Sequence, residues 1–169
     1  HHDSVESWVR SAVIAGRSLV FGTDHVIGAV GRSLGDLYWE DPVAAPVVDL
    51  SESDGGIYAA LGDGTVIHYN RANGTKVWST TLDQSLRSIA ILDGEVLVGP
   101  AKGQHLVALD RSSGAVTWRY ELDTSDTIWD LKTADVEIFC GTHSGTVYAL
   151  EQTDGTAPDR QDRHGNRVQ

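Results

Sequence analysis

The apolar residues of this chain fall in short runs that alternate with polar positions or break at glycine: SLVFG (18–22), GIYAAL (56–61), EVLVGP (95–100) and VEIFCG (136–141). β-Branched and aromatic residues dominate these runs. None recurs at the 3.6-residue spacing of an amphipathic helix, so each predicts a strand. Between them stand Asp-Gly, Asn-Gly and Ser-Gly pairs, which accept the positive φ of tight hairpin turns. One segment reads VVDLSE (47–52), a turn at Asp54-Gly55-Gly56, IYAAL (57–61), a turn at Gly62-Asp63-Gly64, TVIHYN (65–70), a turn at Ala72-Asn73-Gly74, and TKVWST (75–80). That order predicts four strands joined by three tight turns.

The same order recurs when the chain is shifted by about forty positions, the period of a propeller blade. Trp39, Trp78 and Trp118 each follow a glycine by four residues, namely Gly35, Gly74 and Gly114. A fourth glycine, Gly155, keeps the phase, with Asp159 standing where its tryptophan would be. Six residues before the glycines are Ala29, His68, Ala108 and Ala149, and four before them are Gly31, Asn70, Asp110 and Glu151. The expected fold is an all-β propeller of about four four-stranded antiparallel blades. The blades are placed near 8–40, 41–80, 81–122 and 123–159, with a flexible polar tail at 160–169. The proline-bearing EDPVAAPVV (40–48) reads as a loop between repeats, since the repeat phase continues across it.

Length and charge narrow the partners. The 169 residues, 40% hydrophobic with 18 glycines, can bury a core and supply many turns. A net charge of −11 with only 13 lysines and arginines disfavours nucleic acid and anionic membranes. Acids are 17 Asp to 7 Glu and bases 10 Arg to 3 Lys, a bias shared by proteins of salt-loving archaea and by ordinary acidic proteins kept soluble by charge. Cys140 is the single cysteine, which excludes an internal disulfide, and its apolar surroundings read as core. No run approaches the ~18 apolar residues of a membrane helix, and the first residues lack a basic-then-apolar leader pattern. His1 and His2 fit the remnant of a purification tag, which leaves the compartment open.

Residues 108–118, ALDRSSGAVTW, follow one pattern at every position: alanine, an acid two on, glycine four further, tryptophan four after that. HYNRANGTKVW (68–78), AVGRSLGDLYW (29–39) and ALEQTDGTAPD (149–159) follow it in part. In this the chain resembles the pyrroloquinoline-quinone-type (PQQ-like) propeller repeats of the quinoprotein alcohol dehydrogenase-like superfamily. The resemblance implies that Ala29, Trp39, Asn70, Trp78, Ala108, Asp110, Gly114, Trp118 and Ala149 are structural docking positions. In that family the ring wedges between blades against the small alanine and a peptide plane, and the indole N–H finds a carbonyl. The acid accepts N–H groups within its turn, and the glycine closes that turn in the left-handed conformation. Family rings close with seven or eight blades. Four repeats therefore form half of an eight-bladed ring, completed by a second copy or by further blades of a longer chain, or else a small closed propeller. Trp8 fits two places: the tryptophan missing from the last repeat, or an inner-strand match to Trp129.

The chemistry of the quinone enzymes does not carry over. They use adjacent cysteines, a tryptophan beneath the quinone and a calcium site of Glu, Asn and Asp in a much longer chain. Here only Asn70 and Asn73 precede the tail, both in a hairpin. His25, His68, His105 and His143 recur but stand at −4, 0, −3 and −6 from their repeat's alanine position, out of phase for a metal ring. No phosphate loop, nucleophile elbow or Cys/His pair is present. The expectation is thus no catalytic residue, no cofactor and no metal. The expected role is a non-catalytic scaffold that binds a protein partner, or a second copy of itself, through loops on one face, as the resemblance implies for the lipoprotein that assists outer-membrane protein assembly. The alternative is a half-ring or fragment of a quinoprotein or carbohydrate-active enzyme.

Overall fold

The structure, a computed structural model, describes residues 7–32, 35–103, 105–122, 127–152 and 166–167. Strands are its regular elements. Blade I holds β1 (Ser11–Ala15), β2 (Ser18–Gly22), β3 (Val26–Gly31) and β4 (Leu37–Pro42), and blade II holds β5 (Val47–Ser53), β6 (Gly56–Leu61), β7 (Thr65–Asn70) and β8 (Lys76–Thr81). Blade III holds β9 (Ser85–Leu92), β10 (Glu95–Lys102), β11 (His105–Asp110) and β12 (Val116–Glu121), and blade IV holds β13 (Ile128–Ala134), β14 (Glu137–Thr142), β15 (Thr146–Glu151) and β16 (Asn166–Arg167). Each sheet is an antiparallel meander in chain order. The first strands pack β1 on β5, β5 on β9 and β9 on β13, with no comparable contact from β13 back to β1. The fold is therefore the expected all-β propeller of about four blades, and its ring is open.

Asn166–Arg167 lies inside the stretch expected to be a tail, yet it pairs with Thr146 and Val147. It thereby covers the first two residues of the outer edge of β15. Gly155, Asp159 and the rest of the expected tail lie outside the described residues.

Period-2 alternation explains where the core sits. The middle strand β6 is buried along its whole length. Ile57, Ala59 and Leu61 face one way, into a cluster with Val20, Ile27, Ala29 and Trp39 of blade I. Tyr58 and Ala60 face the other way, against Leu86, Ile89, Val96, Val98, Val107 and Leu109 of blade III. A third cluster joins Leu97, Leu106, Ala108 and Trp118 of blade III to Ile128, Leu131, Ile138 and Leu150 of blade IV. The core is thus three slabs, one in each gap between blades.

The inner strands share an irregularity. β5, β9 and β13 each carry one residue without a ladder partner near the start of the strand: Val48, Arg87 and Trp129. Counted back from the first hairpin turn, Arg10 holds the same place in blade I. A bulge at this point re-aims one side chain per blade: Val48 packs against the core between blades II and III, whereas Arg87 and Trp129 meet each other at the inner rim.

Candidate functional site: the blade joints and the inner rim

The repeat residues converge on the joints. Trp39 stands across the ladder from Ala29, and Trp118 across from Ala108, all four buried. The Trp39 indole N–H donates to the Arg71 carbonyl of blade II at 2.9 Å, and its ring covers Gly74, where an added Cβ would lie 2.5 Å from ring carbon. Trp78 repeats this on blade III, donating to the Arg111 carbonyl at 2.9 Å and covering Gly114. Gly74 and Gly114 have φ of +68° and +73°. Asp110 Oδ1 accepts the N–H and O–H of both Ser112 and Ser113. Those bonds, the Ser112 hydroxyl first, hold its carboxyl down at about 2. Asn70 Oδ1 accepts the Ala72 N–H at 2.9 Å. Ala149 lies on β15 opposite Phe139, and both are half-buried on the open face of blade IV.

The third joint is built differently. Trp118 donates to the carboxylate of Glu95 in its own blade at 3.0 Å, and the Gln152 amide of blade IV donates to the same oxygen at 2.9 Å. Gln152 stands three residues after Ala149, as Arg71 and Arg111 follow His68 and Ala108 by three. All three side chains reach the first hairpin of the preceding blade. Arg71 lies against Gly16, Arg111 bonds Ser53 and Asp54, and Gln152 bonds Glu95. This column of residues was visible in the repeat but has no signature of its own.

His68 replaces alanine in blade II, and the joint loosens there. Its ring stacks on Tyr58 at 4.4 Å and meets Trp78 edge-on at 5.7 Å, leaving Trp78 only half-buried. Beside it opens a cleft of about 290 Å³ lined by Asp54, Tyr58, His68, Asn70, Val77 and Arg111, among others. His68 Nδ1 is buried and has no hydrogen-bond partner among the described residues. Burial first, and the Arg111 charge second, lower the imidazole pKa.

Asp49 links three blades. It accepts the Leu50 N–H at 2.9 Å, the Ser11 hydroxyl of blade I at 3.3 Å and the Ile89 N–H of blade III at 3.0 Å. Burial raises its carboxyl pKa against the pull of those donors. Asp130 holds the same register in blade IV, where it is exposed and bonds Leu131 N and Lys132 Nζ. Cys140 is buried and its thiol is pushed up to about 12. Among the described residues no three His, Cys, Asp or Glu side chains are placed to hold a metal.

Known proteins agree with this architecture. The sequence profile of the family described as outer membrane protein assembly factor BamB matches residues 62–167. The protein of that name from Taylorella asinigenitalis (strain MCE3) is 43% identical over 53 residues, which are 31% of this chain and 14% of that protein. The crystal structure of the computationally designed Ika4 protein superposes with a TM-score of 0.79 at 19% identity, covering 89% of this chain and 95% of that one. BamB from Moraxella catarrhalis superposes at 0.73 with 20% identity, over 88% of this chain but 51% of its own. The chain therefore spans about half the length of that solved relative and matches a seventh of the curated one.

Proposed function

Since this chain belongs to the PQQ-like propeller repeat family described as outer membrane protein assembly factor BamB, we propose that it is a non-catalytic scaffold that holds protein partners. In this reading Ala29, Trp39, Asn70, Trp78, Ala108, Asp110, Gly114 and Trp118 hold blade to blade, and two copies close an eight-bladed ring. One observation carries it: the open faces are apolar at positions that the internal joints bury. Phe139 and Ala149 of blade IV are half-buried, whereas Val20 and Ala29, Leu97 and Ala108 at the same places are fully covered. At the other end Ile14, Leu19 and Tyr38 of blade I are exposed. Faces of this kind seek cover. Asp130 supports the same continuation, being placed where Asp49 reaches into its next blade.

Static light scattering from dilute buffer to molar potassium chloride tests the reading. The expected mass is twice the 18.2 kDa of the chain, rising in population with salt as the acidic copies are screened. A mass of one chain at every salt and protein concentration refutes the ring of two copies.

A further inference from the structure

The inner rim between blades III and IV presents a cluster that the joints leave unused. Trp129, aimed by its bulge, is 55% exposed despite being the largest side chain type. The Arg87 guanidinium carbon lies 4.3 Å from its ring centroid, and the His143 ring from the β14–β15 turn lies 5.5 Å away. We propose that Trp129, Arg87 and His143 form a docking site for an extended protein segment that carries a carboxylate beside an apolar side chain; this rests on the scaffold reading and names the partner chemistry.

Three observations support it. An exposed tryptophan braced by arginine is the composition of an interface hot spot, and the stack fixes both side chains before binding, so little further ordering is needed. A guanidinium lying over a ring keeps its N–H edges free for a bidentate carboxylate. Arg87 has no carboxylate partner among the described residues, while Arg10 at the equivalent rim place is paired with Asp24. Lys102, which pairs with Ser85 two residues from Arg87 along β9, adds a second cation without a carboxylate partner among the described residues. The neighbouring acid in sequence, Asp130, is exposed and its Oδ1 accepts from the Leu131 N–H and Lys132 Nζ rather than from Arg87. Repulsion of an acidic segment by the rest of the surface is screened beyond about 8 Å at physiological ionic strength, so the rim contacts decide.

The test is selection from a random dodecapeptide phage library on the immobilised protein, with the retained peptides then titrated against wild type, Trp129→Ala and Arg87→Gln. Both variants change exposed or half-exposed side chains, and circular dichroism checks that they fold. The expected outcome is enrichment of peptides pairing Asp or Glu with an apolar neighbour. Their affinity should fall at least tenfold in Trp129→Ala, and in Arg87→Gln their preference over Asn/Gln counterparts should be lost. Peptides that bind both variants as well as wild type, or that carry no acid, overturn the rim site and leave the scaffold reading standing. No retained peptide at all likewise overturns the rim site, while the scaffold reading stands or falls with the solution mass.

Discussion

Replacing the motif glycines by alanine separates backbone strain from joint packing, because the chain contains its own control. Gly35, Gly74 and Gly114 have nearly the same φ, +70°, +68° and +73°. Only the last two lie under a tryptophan ring, where an added Cβ would come within 2.5 Å, whereas a Cβ added at Gly35 would meet nothing within 4 Å among the described residues. Gly35→Ala should therefore cost only the left-handed strain, ~1–2 kcal/mol. Gly114→Ala must also displace the Trp78 ring. That adds overpacking of ~1–3 kcal/mol and the loss of a net ~1 kcal/mol hydrogen bond to the Arg111 carbonyl. The expected gap between the two variants is about 3 kcal/mol, or roughly 6–12 °C in Tm for a chain of this size. Gly74→Ala should match Gly114→Ala, since it displaces Trp39 in the same way. Urea and thermal unfolding monitored by circular dichroism measure the gap. Equal losses at 35, 74 and 114 would mean that the tryptophans do not hold the blades together, and the joint argument would fail.

Three further predictions concern single side chains. The lowered His68 pKa means that the unfolded chain binds a proton which the fold rejects. Stability on this account is full above the ordinary value of 6.5 and declines as pH falls below it. Melting curves from pH 7.5 to 5 should therefore slope less in His68→Ala than in wild type, and identical slopes would contradict the burial argument. Glu95→Ala removes the shared acceptor of Trp118 and Gln152, so it should cost about 2–4 kcal/mol and expose Trp118, read as a red shift in fluorescence. Arg71→Ala keeps the backbone carbonyl that Trp39 uses and should cost clearly less.

Much of the fold was legible because the turns carry glycines and the strands alternate. The spacing of Gly35, Gly74 and Gly114 marks where each last hairpin turns, and the burial of Trp39 and Trp118 follows from their column. The bulges at Val48, Arg87 and Trp129 were not legible, since an extra residue in a strand shifts the alternation without any residue type of its own. Nor was the role of Asp49, which depends on the approach of blades I and III rather than on neighbours in sequence. Glu95 escaped notice for a related reason: it opens β10, and only the fold brings it beneath Trp118. His68 was read as a departure from the motif, but the cleft it opens needs Tyr58 and Arg111 in place.

A core divided into slabs makes the molecule behave as a one-dimensional array. Blades II and III are held on both faces, while blades I and IV are held on one. Stability then approximates a sum of blade and nearest-neighbour terms, as in other repeat proteins. In the single chain, before any ring closes, opening should begin at blades I and IV and move inward, so that amide protons of β6 and β10 exchange last and those of β2 and β14 first. A gene that gains or loses one forty-residue unit adds or removes one slab and leaves the others intact, which makes blade number the easiest property of this fold to change.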